Sequence, residues 1–154
     1  MPQHPGALLH PLLHATHLVE ARLRDRLKQV DLHPRQARVL STLSRLGETH
    51  QKTLAREFDI TPASMSSMCD RLSYAGYIER HVDPNEKRAF LIRLTFKGKS
   101  KVHDVRAAWG DIDEMIKEAM GQDAASSLAE LSGKLRDEFG GYVPGIETIE
   151  AQNA

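Results

Sequence analysis

Apolar positions along this chain recur mostly at spacings of three and four, the period of a helix that buries one face. From residue 11 to about residue 28 they fall at Leu12, Leu13, Val19, Leu23 and Leu27, interleaved near the end with Arg22, Arg24, Asp25, Arg26 and Lys28. An amphipathic helix with a strongly charged end is predicted there. A second helix opens at Pro34, follows Val39, Leu40, Leu43 and Leu46, and stops at Gly47, because proline suits the first position of a helix and glycine the position just past its end. Thr49 is placed to cap a short third helix containing Leu54, Ala55 and Phe58. After a break at Asp59-Ile60, Thr61-Pro62 reads as a cap and first-turn proline for a fourth helix, running to about Tyr74 and stopping near Gly76.

The pattern then changes. Residues 77–82 and 89–94 are rich in Val, Ile, Leu, Phe and Tyr, with the turn-forming Asp83-Pro84-Asn85 between them, which predicts a two-stranded hairpin. A lone hairpin is marginal in water and has to pack on something. Helical spacing returns after Thr95, a candidate cap, through Val102, Val105, Trp109, Ile112, Ile116 and Met120 to a stop at Gly121. A last helix is expected from about residue 123 to 139 with Leu128, Leu131, Leu135 and Phe139 as its stripe, and Gly140-Gly141 opens a tail expected to lie loose or against a partner. The first and last helices carry apolar stripes longer than a small core needs, which points to a shared interface and a homodimer.

The length of 154 residues suits one domain. Net charge is zero, yet residues 1–101 hold 17 Lys or Arg against 10 Asp or Glu, while 102–154 hold 4 against 11. A basic front and acidic rear suit a protein that presents one surface to a polyanion. Cys69 is the single cysteine, so an intramolecular disulfide is impossible and a reducing compartment, the cytoplasm, is expected. No run approaches the roughly eighteen apolar residues of a membrane span, and MPQHPGALLH lacks the basic leader and apolar core of a signal peptide. Paired metal-ligand spacings, phosphate-binding glycine loops and nucleophile motifs are missing from the sequence, so neither enzyme nor cofactor is expected. His10, His14 and His17 share a helical face, but Pro11 sets His10 at or before the helix start and leaves only a pair, so no metal site is assigned.

A short helix, a tight turn, a second helix opened by Thr-Pro and then a hairpin is the order of a winged helix-turn-helix, whose second helix enters the DNA major groove. In that fourth helix Met65, Met68, Cys69 and Leu72 form the apolar face. Opposite them Ala63, Ser64, Ser66, Ser67 and Asp70, with Arg71 at the flank, form a small, hydroxyl-rich face that fits a groove about 12 Å wide. Thr61, Ala63, Ser64, Ser66, Ser67 and Arg71 are the expected duplex contacts. Cys69 reads as a buried small hydrophobe, with a redox-sensing thiol as the alternative; Trp109 reads as interface core.

Residues 53–100, TLAREFDITPASMSSMCDRLSYAGYIERHVDPNEKRAFLIRLTFKGKS, resemble the MarR family of transcriptional regulators. The matching features are Leu54-Ala55, the Thr61-Pro62 helix start, Asp70-Arg71-Leu72, Gly76 before an apolar pair and Glu79-Arg80, and Leu94-Thr95 with Gly98. The likeness extends from the first helix to Phe139. It implies a mainly α protein: a winged helix-turn-helix lobe with a two-stranded wing over 30–98, and a dimerisation region built from helices within 5–29 and 99–145. It further implies a homodimer on a pseudo-palindromic operator of double-stranded DNA, acting as a repressor released by a small, often aromatic, effector, for which the sequence singles out no residue. A redox-sensing regulator through Cys69 and a DNA-binding protein without effector are the alternatives. In the wing, Arg88 matches the arginine such proteins insert into the minor groove, with Lys87 as its electrostatic neighbour. Glu86 stands where the family has Asp, one methylene shorter, so the bracing ion pair of such wings is left open. Many members carry a basic residue where Ser67 stands, which shifts affinity toward the wing and toward phosphate contacts by residues such as Arg71.

Overall fold

The computed structural model describes residues 4–141. In chain order the elements are α1 (Leu9–Lys28), α2 (Pro34–Leu46), β1 (Thr49–His50), α3 (Gln51–Glu57), α4 (Pro62–Tyr74), β2 (Ile78–Val82), β3 (Phe90–Leu94), α5 (Phe96–Met120) and α6 (Gln122–Glu138). The expected mainly helical winged fold is what forms, with two local corrections. First, α1 begins at Leu9 rather than Pro11, so His10 lies inside the first turn. The first N–H groups of a helix have no acceptor within it, and Pro11 therefore removes nothing the helix needs. Second, the sheet has three strands in the order β1-β3-β2, not two. Thr49 pairs with Ile92 and His50 with Leu91, so Thr49 is in a strand and His50 stands at the start of α3, without a side-chain cap. A two-residue strand has no periodicity to read; it exists because β3 offers it a free edge.

The core is built from one or two side chains of nearly every element of the lobe. Leu27 of α1, Leu40 and Leu43 of α2, Leu54 of α3, Met65 and Leu72 of α4, Ile92 of β3 and Val105 of α5 are all fully buried. Asp59 takes a left-handed backbone with φ of 48° between α3 and α4, a conformation Asp tolerates better than branched residues do. It lets α4 turn back across α3.

The joint between the wing and α5 explains the Leu-Thr-x-x-Gly pattern. The Thr95 hydroxyl donates to the Gly76 carbonyl at 2.6 Å and accepts the Gly98 N–H at 2.9 Å. The Thr95 N–H donates to the Tyr77 carbonyl at 3.0 Å. These bonds draw the first turn of α5 so tightly onto the strand entry that a Cβ at Gly98 would overlap the Tyr77 carbonyl oxygen. Glycine is required there by close approach rather than by its torsion angles.

Outside the lobe the packing thins. Residues 9–20 of α1 are exposed throughout, and α6 buries no side chain. Leu13, Leu18 and Leu131 are 57%, 54% and 63% exposed, so the apolar residues in the first half of α1 and along α6 stay largely uncovered within the protomer, while Leu27 at the end of α1 joins the core. Trp109, expected at an interface, is partly buried against the lobe's own core. The last residues of the segment expected to end at 145, and the tail after Gly141, lie outside the described residues. No helix among the described residues is long and apolar enough to cross a membrane.

Candidate nucleic-acid interface

The start of α4 is made by Thr61, whose hydroxyl oxygen accepts the Ser64 N–H at 3.1 Å while its own proton goes to Ser64 Oγ at 2.9 Å. Met65, Cys69 and Leu72 anchor the inner face in the core. Thr61, Ala63, Ser64, Ser67 and Arg71 all stand exposed on the outside, as the spacing predicts. Ser66 is half-buried, and its carbonyl accepts from Arg80 of the wing. Lys87 and Arg88 are exposed in the connection between β2 and β3.

Arg80 of β2 joins helix and wing. Its Nη1 donates to Asp70 Oδ1 at 2.7 Å and its Nη2 to the Ser66 carbonyl at 3.1 Å, while its guanidinium lies 5.4 Å over the Phe90 ring of β3. A charged donor on a backbone carbonyl and a carboxylate is a strong directional tether. The recognition helix therefore cannot rock far without dragging the wing. On the opposite face of β2, Glu79 pairs with Arg93 across the strands at 2.8 Å; both side chains are half exposed, so this pair adds little to stability.

The wing is braced at its base, not by Glu86. Among the described residues neither Glu86 nor Arg88 takes part in an ion pair. Instead Asp83, buried at the root of the turn, accepts the Asn85 N–H at 2.8 Å, and His50 Nε2 of β1 lies 2.7 Å from Asp83 Oδ2. The Glu86 N–H donates to the Asp83 carbonyl at 3.2 Å, and the Ala89 N–H to the Glu86 carbonyl at 2.8 Å. Nearby, His81 Nε2 is 3.4 Å from Glu48 Oε2. The His50 contact and the Asn85 amide hold the Asp83 carboxyl below its ordinary value of 3.8. A depressed folded-state value means that the stabilisation is fully present above the ordinary value and disappears as pH falls through the lower one. We therefore expect the Ala89 amide to lose exchange protection, corrected for intrinsic rates, as pH drops below about 4. In an Asp83→Asn chain that acid-dependent loss should be absent; matching acid profiles for both chains would rule out Asp83 as the group responsible.

Cys69 is fully buried on the inner face of α4. Burial pushes its thiol up from the ordinary value, only partly opposed by a hydrogen bond and the charge of Arg80. The thiolate is the species that reacts with oxidants, so this environment favours the packing role over the redox alternative. The sequence pattern marks Arg80 and Gly98 but not what they touch, and the His50–Asp83 contact it does not mark at all. Asp83 signals only a turn, and its partner lies 33 residues away.

Two clefts flank the lobe. One, of about 870 Å³, lies between α1, α2 and α4 and includes Ser64 and Ser67 of the exposed α4 face. The other, of about 650 Å³, lies between the end of α2, β3 and α5, with Arg93, Lys99, His103 and Arg106 around Leu43 and Val102.

A helix-turn-helix with an exposed second helix, tethered to a three-stranded wing, defines a winged helix-turn-helix DNA-binding protein. The MarR family model matches residues 30–89. The HTH-type transcriptional regulator BilQ of Clostridioides difficile is 34% identical over 64 residues, 42% of this chain, a match that spans 43% of that regulator. The solved structure of transcriptional regulator PA4135 superimposes with a TM-score of 0.72 at 28% identity, over 84% of this chain and 96% of that one. A mutant MarR of E. coli, solved in complex with operator DNA, shares the fold with a TM-score of 0.71 at 24% identity, over 84% and 96%. Residues 30–89 thus match the MarR family model, and the relatives and solved structures that this chain resembles over most of its length are transcriptional regulators.

Proposed function

We propose that this protein is a homodimeric cytoplasmic repressor that grips a pseudo-palindromic operator, with residues 30–98 as the DNA-binding lobe and the helices within 5–29 and 99–145 as the dimerisation region. The observation that carries this reading is the pairing of an exposed, hydroxyl-rich α4 face with unpartnered apolar stripes on α1 and α6. Two copies joined through those stripes would present two α4 helices to successive major grooves, with half-sites about one helical turn, roughly 34 Å, apart. Thr61, Ala63, Ser64, Ser66 and Ser67 meet base edges and adjacent phosphates, and Arg71 meets the backbone. Lys87 and Arg88 approach the minor groove, where a narrow A·T-rich stretch concentrates negative potential.

The cleft between α2, β3 and α5 supports a small aromatic acid as the effector, since Arg93, Lys99, His103 and Arg106 line it with Leu43, Leu94 and Val102, against a single carboxylate, Glu48. It lies where the lobe joins the long helix, so an occupant there can change the angle of the lobe. The test is a gel-shift titration on the protein's own promoter, repeated with a panel of aromatic carboxylic acids. Arg88→Ala is expected to weaken operator binding at least tenfold, about 1.4 kcal/mol. An unchanged affinity would remove the wing assignment, and no shift on any candidate promoter at low salt would overturn the operator reading. Binding that no acid in the panel affects would favour the regulator without effector.

A further inference from the structure

The α4 face offered to DNA carries almost no charge, with Arg71 at its flank, yet phosphate neutralisation supplies much of the affinity of any duplex-binding protein. The cleft between α1, α2 and α4 is where the missing charge is gathered. Arg24 of α1, Arg35 and Arg38 of α2 and Arg71 of α4 line it together with Ser64 and Ser67, and Glu20 is the one carboxylate in the lining. All four arginines are exposed. Among the described residues none of them makes an ion pair, whereas Arg26, Arg80 and Arg93 each have a carboxylate partner. Arg38 is further oriented by Phe58, whose ring lies 4.9 Å beneath its guanidinium. Stacking fixes the plane of the group and leaves its N–H fork free for an oxygen ligand. Four unpaired guanidiniums around one cleft repel one another until a polyanion arrives.

We propose that this cleft is a phosphate track: the duplex backbone that borders the groove occupied by α4 runs across it, held by Arg35 and Arg38 with Arg24 and Arg71. Arg35 and Arg38 are one helical turn apart on α2, so they address neighbouring backbone positions from one face. These contacts carry no base information. They supply affinity and register, which frees α4 to be small and uncharged. The inference rests on the DNA-binding reading.

The experiment compares the wild-type protein with the Arg35→Ala, Arg38→Ala double variant on the operator and on an unrelated duplex of equal length, across a salt series. The expected result is a loss of at least about tenfold on both duplexes, with the slope of log K against log salt reduced by about two. A double variant carrying lysine at both positions should recover most of that slope, and its recovery separates lost charge from lost stacking on Phe58. Inorganic phosphate titrated at constant ionic strength should leave operator affinity unchanged, because an extended backbone is held at several points. An unchanged slope, a loss confined to the operator, failure of the lysine pair to restore the slope, or displacement of DNA by inorganic phosphate would each overturn the track. Wild-type protein that binds neither duplex would instead defeat the DNA reading itself, so the two failures are distinct.

Discussion

The double substitution Leu128→Glu, Leu131→Glu in α6 is expected to leave the winged lobe folded and to abolish tight operator binding. Neither side chain contributes to the buried core of the protomer; Leu128 is 41% and Leu131 63% exposed. Along α1, Leu12, Leu13 and Leu18 are 45%, 57% and 54% exposed. Uncovered apolar helix faces of this kind mark an interface, and in a two-fold dimer the same surface is used twice. The two glutamate pairs of a dimer would therefore place four carboxylates in an apolar interface, where unpaired charge is strongly disfavoured. Losing the dimer removes the second half-site contact, and linked contacts raise apparent affinity by about 10² to 10⁴. A fall of at least roughly a hundredfold in operator affinity follows. Light scattering should report a monomer, while circular dichroism remains close to wild type. A variant that stays dimeric and binds the operator normally would show that these helices meet something other than a second copy.

Gly98→Ala is expected to destabilise the fold by about 3 kcal/mol, the upper part of the usual range for overpacking a buried site. At about 2 to 4 °C per kcal/mol for a chain of this size, the thermal midpoint should fall by roughly 10 °C. The obstacle is the Tyr77 carbonyl oxygen, a backbone atom that cannot swing aside like a flexible side chain. Relief would require moving the first turn of α5 away from the wing, at the expense of the Thr95 bonds to Gly76, Tyr77 and Gly98. Gly110 provides the comparison within the same helix. It is exposed, and a Cβ added there would meet nothing within 4 Å, so Gly110→Ala should gain up to about 1 kcal/mol from helix propensity. Equal thermal shifts for the two variants would mean that helix propensity, not contact with Tyr77, explains Gly98.

Much of this architecture was legible because it is written in local chemistry. Thr61-Pro62 and Thr95 announce their helices, and both hydroxyls cap as their positions predict. Gly47, Gly76 and Gly121 all take positive φ where helices stop. Met65, Cys69 and Leu72 turn inward together because a helical period puts them on one face. The boundary of α1 was less legible, since a proline in the third helical position resembles one at the first. β1 was not legible at all.

The sequence by itself determined the order of helices and hairpin, the inner and outer faces of α4, and the apolar stripes of α1 and α6 that find no cover within one protomer. Those features follow from side-chain period and from caps a few residues long. Only the tertiary structure decided which distant groups meet: His50 with Asp83 at the base of the wing, Arg80 with the carbonyl of Ser66, Gly98 against Tyr77, and the four arginines of three helices around one cleft. Such meetings depend on how α2, α4 and the sheet pack on their shared core, and no local spacing records a contact between residues that the chain separates by tens of positions.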